Sequence, residues 1–403
     1  MIVMGGIVGS GIFMNPSVVA RDVHTPFLIL GTWALGGLLA VLGAFIWAEL
    51  ATRLPGAGGQ YLYLREAYHP AVAFLYGWVL LLVTQTGGMA AVAITFARYW
   101  REVTGARWSD SAIAAAVLLG LTAVNCFGAR AGSNLQSALM LTKMGAIAAL
   151  VTIGWRVGGG GIHPLPLLDR PVSLGLVGAI GAAAVPIAFA YGGWQTATFV
   201  AAEMRDSRRD LSRGLLLGVM GVVALYLSVN LVCRRALGPA GLGSTSAPAS
   251  AGMRAAVGER GGSRVYNAMA RDGLFFRWVG TLSRRTGAPV VAIALQGALA
   301  TAIACSGTYE QILNFEVSAD FIMFGLAAAS VFVLRRRKVG DSLPGIYRTP
   351  GHPYTTALFV LACVGIVGSD VAAHPAHTAV ALLILAAGVP VYLYWSRPKP
   401  IPS

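Results

Sequence analysis

Two apolar runs interrupted by glycine carry the most chemical information. Residues 5–13 read Gly5-Gly6-Ile7-Val8-Gly9-Ser10-Gly11-Ile12-Phe13, and 189–195 read Phe189-Ala190-Tyr191-Gly192-Gly193-Trp194-Gln195. Clustered glycines lower helix propensity by up to ~1 kcal/mol each. An unwound turn at membrane depth exposes N–H and C=O groups that lipid cannot satisfy, so a break persists only beside a water-filled or ligand-filled cavity. The helix beyond Gly11 would present free N–H groups and a positive dipole end to a carboxylate. The carbonyls before it suit an ammonium group or a sodium ion, and the two ends together complement a zwitterion. Each cluster alone is equally a close-packing face, since Gly5 and Gly9 satisfy GxxxG. Their places in the first and sixth runs favour transport, because five-helix inverted repeats put two broken helices at corresponding positions. Neither is a phosphate loop, since no Gly-Lys-Ser/Thr follows.

Lys143 lies well inside the fifth run, where a charge costs ~2.5–3.5 kcal/mol unless it faces protein or water. Gln136, Met140 and Lys143 recur at helical spacing, which puts the lysine on a face with a polar residue. Against this stands a lysine snorkelling to the cytoplasmic surface. Glu316 and Asp320 sit one turn apart in another apolar run. As neighbours they could carry a proton; the plainer expectation is that Glu316 is hydrated near the outer interface and Asp320 pairs locally. Glu49 and Glu203 end runs and are expected to pair with nearby arginines.

The elements that must position these residues follow from composition. Of 403 residues, 56% are hydrophobic and 11% charged, with a mean hydropathy of +0.68, against about 25% charged in a soluble globule. Eleven runs, most of them near the length that spans a bilayer as helix, cover residues 1–19, 27–48, 71–97, 112–127, 135–155, 174–201, 214–233, 288–305, 312–334, 357–373 and 378–395. They lack the period-two alternation of a barrel strand, so the fold class is an all-α polytopic membrane protein, one unit over 1–403. The net charge of +14 is explained by basic loops flanking membrane helices, and no nucleic-acid partner is expected. Cys126, Cys233, Cys305 and Cys363 show no metal spacing and are expected to be buried apolar side chains. Trp47, Trp78, Trp100, Trp108, Trp155, Trp278 and Trp395 lie towards run ends, as interfacial anchors do.

The charge pattern exposes an irregularity. Residues 264–287, 335–348 and the tail carry twelve Lys and Arg and should be cytoplasmic. Yet the run ending at Cys233 exits outside, and 239–263 is too small and polar to cross back. Either the C-terminal half is inverted against the charge rule, or about 20 residues of helix, one bilayer crossing, are missing near 255–264; the loss is the favoured expectation. The first run starts at Met1 without a basic leader, so the natural N-terminus is expected to be longer.

GGIVGSGIF, AELATRLPGAGGQYLYLREAYHP (48–70), FAYGGWQTATFVAAEMRDSRRDLSRG (189–214) and RVYNAMARDGLFF (264–276) resemble the amino acid-polyamine-organocation superfamily, nearest its L-type amino acid transporter branch. The resemblance covers nearly the whole chain. It implies a LeuT-type five-plus-five inverted repeat with two extra C-terminal helices: a first repeat at 1–156, a second at 173–336 interrupted near 255–264, and accessory helices at 357–396. This chain departs from that pattern by lacking most of helix eight. The resemblance further implies that Ser10 and Gly11, with Gly9, bind the substrate carboxylate by backbone, that Ile7 neighbours the pocket, and that Phe189 gates it. Gly192 falls on the amino-group side with Tyr191, and Gln195 stands where relatives often have Asn. It implies that Lys143 bridges helix one to helix eight where sodium sits in sodium-coupled relatives, which argues for sodium independence and coupling to protons.

These readings converge on secondary active transport of amino acids, neutral L-amino acids being the expected class, by sodium-independent exchange or proton-linked uptake across the cell inner membrane. No cofactor is expected. The alternative is a transport-defective or regulatory family member without helix eight. An enzyme is disfavoured because all six histidines, His24, His69, His163, His352, His374 and His377, fall in loops or at run ends, so no catalytic or metal-ligating cluster forms at depth. A channel is disfavoured because the breaks fit one bound zwitterion rather than rings of repeated ligands. Animal relatives bond a heavy chain through a cysteine between helices three and four; RYWREVTGARWSD has none, so no disulfide-linked heavy chain is expected.

Overall fold

A computed structural model of the chain describes residues 2–56, 58–126, 143–156, 167–168, 171–196, 198, 207–249, 290–343 and 345–395. All regular structure among them is helical. In chain order the helices are α1 (Ile2–Ile7), α2 (Gly11–Asp22), α3 (Pro26–Arg53), α4 (Gln60–Ala67), α5 (Pro70–Val79), a π-helical turn (Leu80–Thr84), and α6 (Gln85–Thr104). There follow α7 (Asp110–Cys126), α8 (143–156), α9 (Leu174–Tyr191), α10 (Ser207–Ser244), α11 (Val290–Ser306), α12 (Tyr309–Arg336), α13 (Tyr354–Ala373) and α14 (Pro375–Trp395).

Local chemistry sets many of the boundaries. The Thr25 hydroxyl accepts from Leu28 N–H with Pro26 in the first turn of α3, a pairing that satisfies one orphan donor and presets the backbone. His69 with Pro70 starts α5, Ser173 starts α9, and Thr308 with Gln311 forms a reciprocal capping box on α12. Gly105, at φ 67°, ends α6 in the left-handed region.

Six described helical stretches are long and apolar enough to cross a membrane: Pro26–Arg53, Pro70–Glu102, Leu174–Thr196, Leu211–Ser244, Tyr309–Arg336 and Tyr354–Ala373, with shorter apolar helices beside them. Leu35, Leu217, Leu361 and Leu383 are exposed on these surfaces, an arrangement suited to lipid and not to water. The chain is a multi-pass helical membrane protein.

The expected runs are recovered as helices with revised ends. The third is not one α-helix but α5 and α6 joined through the π turn. The seventh extends to Ser244, with non-helical backbone at Gly238. Trp47 is no interfacial anchor: it is fully buried, edge-on to Trp194, Phe324 and Phe359. Cys305 is exposed, whereas Cys233 and Cys363 are buried. The expected loss near 255–264, Glu203, Gln136 and Met140 lie outside the described residues. The core is continuous, and α3 packs on α10, α2 on α9, α12 on α13, and α11 on α7.

Candidate functional site

Both glycine-rich runs break. Helix α1 stops at Ile7, residues 8–10 are irregular, and α2 begins at Gly11. Helix α9 ends at Tyr191; Gly192 turns extended (ψ 161°) and Gly193 takes φ +109°, a conformation that side chains resist.

The two breaks touch through bare backbone. A β-carbon on Gly6 would lie 2.9 Å from the Gly193 carbonyl oxygen, and one on Gly11 would lie 2.6 Å from Ala190 Cα. Glycine at both positions is therefore a condition of the approach. Ile7, Ser10 and Gly11 are buried, as are Tyr191 and Gln195, while Gly9, Phe189 and Gly192 are half-buried.

The freed carbonyls of α1 do not wait for a ligand. The Tyr226 hydroxyl on α10 donates to Ile7 O at 3.1 Å, and the Lys143 ammonium on α8 donates to Val8 O. Lys143 thus reaches into the break and does not snorkel away from it. The ammonium expected beside these carbonyls is, at Val8, the protein's own. On the other side, Gln195 Oε1 accepts from Gly193 N–H at 2.9 Å and so caps its own break.

The α2 end is held separately. Asn15 Nδ2 donates to Pro186 O at 2.5 Å and its Oδ1 accepts from the Tyr309 hydroxyl at 2.9 Å. The Tyr99 hydroxyl donates to Phe13 O at 2.8 Å. Phe189 stands edge-on to Tyr309, with centroids 6.3 Å apart. The Arg98 guanidinium lies 5.7 Å from the Tyr309 ring centroid. Arg98 also lines a cavity of about 660 Å³ with Arg21, Asp110, Ser244 and Glu310. Tyr309 thus neighbours both Phe189 at the break and Arg98 at that cavity. Asn15, Tyr226 and Tyr309 were not singled out by sequence: each is a lone polar group in or beside an apolar run, and only distance in space gives them a task.

Glu316 corrects an expectation. It is 7% exposed and packed towards Gly87 and Gly88 of α6, not open to the membrane surface. Asp320 accepts from the Thr84 hydroxyl at 2.7 Å, across to the π turn. Glu49 meets its expected arginines, Arg53 and Arg335, each at 2.7 Å. No group of three or more His, Cys, Asp or Glu that could hold a metal occurs among the described residues.

With this geometry established, comparison with known proteins is decisive. The amino acid permease family matches residues 1–262 and 260–389. The chain belongs to this family. It lies within the amino acid-polyamine-organocation superfamily, on the L-type branch. It is 27% identical to the serine/threonine exchanger SteT of Bacillus subtilis (strain 168) over 429 residues, covering 99% of this chain and 95% of the relative. It is 27% identical to the human b(0,+)-type amino acid transporter 1, covering 83% of this chain and 74% of the relative. It is 25% identical to the human large neutral amino acids transporter small subunit 2, covering 99% and 80%. The alignment with the exchanger is longer than the 403-residue chain itself, so the relative carries internal residues that this chain lacks.

Proposed function

We propose that this protein carries amino acids across the cell inner membrane by alternating access, binding the zwitterion where the two helix breaks meet. The observation that carries the reading is the backbone contact of Gly6 with Gly193, which brings the ends of two membrane helices to one point. The α2 start at Gly11 supplies N–H groups and a positive dipole end for the carboxylate. Ile7, Gly9, Ser10, Phe189, Tyr191, Gly192 and Gln195 line the remaining contacts in this reading. Neutral L-amino acids are the proposed class, in keeping with relatives named for serine, threonine and large neutral amino acids.

Sodium independence follows in this reading from Lys143. Its ammonium on Val8 O places a fixed positive charge where a mobile cation would need that oxygen. Exchange and proton-linked uptake are both compatible with such a charge. The proposed LeuT-type arrangement, with repeats at 1–156 and 173–336, puts the two breaks at equivalent places. The protein acts in this reading without a disulfide-linked heavy chain, since 98–110 contains no cysteine.

A transport-defective member is the second reading, favoured by one observation: the family match falls in two pieces meeting at 260–262, within the stretch where a crossing is expected to be lost. One experiment separates the two. Purified protein in proteoliposomes is given a panel of labelled amino acids, with and without internal substrate, sodium and a pH gradient. Saturable sodium-independent counterflow of neutral amino acids is the expected result, and absence of any uptake by a folded protein would sink the transport reading.

A further inference from the structure

We propose that Glu316 and Asp320 form a proton-binding site, separate from the substrate contacts, in which a buried and a half-buried carboxyl group share one proton. Its coupling to substrate movement rests on the transport reading above; its protonation does not.

The two residues are one turn apart on α12. Glu316 is 7% exposed, and its Oε2 has no hydrogen-bond partner among the described residues. β-Carbons on Gly87 and Gly88 would each lie 3.3 Å from a Glu316 carboxyl oxygen, so the carboxyl lies close against a stretch of bare α6 backbone. Asp320 takes its hydrogen bond from Thr84, the last residue of the π turn, and such turns recur at functional sites. The Tyr76 hydroxyl on α5 is buried, has no hydrogen-bond partner among the described residues, and lies close enough to Asp320 to feel its charge. Tyr309, two turns along α12, is similarly placed towards Glu316.

None of these neighbours is a cation. The charged groups on the other elements packed against α12 are engaged elsewhere. Arg98 of α6 binds Glu310 and Asp110, and Arg53 of α3 binds Glu49 and Asp341. Arg65 of α4 binds Glu66. Asp370 of α13 accepts from Ser318, which points from α12 in another direction, and from Thr378 of α14, and meets His374.

Two adjacent carboxylates here would repel each other, and each would carry a desolvation cost with no cation to offset it. A proton taken from water onto a Glu316 oxygen forms one O–H bond and removes one of the two charges. It also converts an unpartnered acceptor into a donor that Asp320 can accept from, directly or through a water. Release breaks that O–H bond, returns the proton to water and restores the carboxylate. The pair is thus a one-proton store whose occupancy changes the charge between α6 and α12.

The test uses the full chain in liposomes, as wild type, Glu316→Gln, Asp320→Asn and the double variant. Infrared difference spectra recorded across a pH titration read the C=O stretch of protonated carboxyls. We expect a band at neutral pH in the wild type that the double variant lacks. In the same liposomes an internal pH dye and labelled amino acid give protons moved per substrate moved, a ratio that a merely damaged protein would keep. We expect that ratio to fall by about tenfold in Glu316→Gln, as for loss of a coupling group. An unchanged infrared band in the double variant, or an unchanged ratio in the single variant, overturns the proposal. If no protein moves any substrate, the transport reading fails and the infrared comparison alone decides the proton site.

Discussion

A β-carbon on Gly193 would fall on the carbonyl oxygen of Gly6. Residues 187 positions apart thus meet with no side chain between them, and the conformation of one break fixes the position of the other. Gly193→Ala adds that β-carbon at φ +109°, where backbone strain alone costs about 1–3 kcal/mol. The expected outcome is a lower melting temperature in detergent together with loss of uptake, read by thermal unfolding and proteoliposome counterflow on the same preparation.

Lys143→Met keeps an unbranched side chain, one atom shorter, and removes its charge. Val8 O then loses a hydrogen bond from a charged donor, worth about 1.5–3 kcal/mol, which corresponds to a fall in counterflow of roughly ten- to a hundredfold if the break must hold its shape to bind. Saturation curves with and without sodium check this. Full-rate counterflow by the variant would exclude Lys143 from the site.

Glu49 is fully buried near the C-terminal end of α3. Its carboxylate accepts from Arg53, from Arg335 of α12 and from the Thr349 backbone N–H at 2.7 Å. Removing the anion leaves the buried Arg53 guanidinium with Asp341 and the Val339 carbonyl alone. Glu49→Gln should therefore destabilise by about 3–5 kcal/mol, as for one partner of a buried pair. The measurement is urea-dependent or thermal unfolding, and Glu49→Asp should recover part of the loss.

His352 gives a pH signature outside the membrane spans. Burial, with the Arg335 guanidinium nearby, lowers its ring below the usual histidine value, and its Nδ1 lies 2.9 Å from the Thr356 hydroxyl. Because the folded form binds the proton less readily than the unfolded form, the unfolded form gains protons first as pH falls. Stability is full above the unfolded value of about 6.5 and declines below it. Melting curves on either side of that pH should diverge in the wild type and converge in His352→Gln.

The helices and the breaks were legible in the sequence because lipid enforces both: apolar runs near spanning length, and glycine clusters that no lipid-facing helix would keep. Lys143 was legible for the same reason, as a charge too costly to leave unexplained. Asn15, Tyr226 and Tyr309 were not, since a single polar group in or beside an apolar run says nothing about which distant group it serves. Trp47 misled because nearness to the end of a run measures depth along a helix and not the direction a side chain faces. Glu316 misled likewise: only the glycines opposite it, on another helix, make room for a buried carboxyl.

The hydrogen bonds of the first helix divide at its break. The end of α1 is held by Tyr226 of α10 and Lys143 of α8, whereas Asn15 on α2 is held to Pro186 of α9 and Tyr309 of α12. One short peptide segment, Gly9-Ser10, is therefore a flexure joining two differently anchored pieces. Any shift of α9 and α12 relative to α8 and α10 bends the chain at that spot, so whatever sits against Ser10 feels the strain of the whole assembly first.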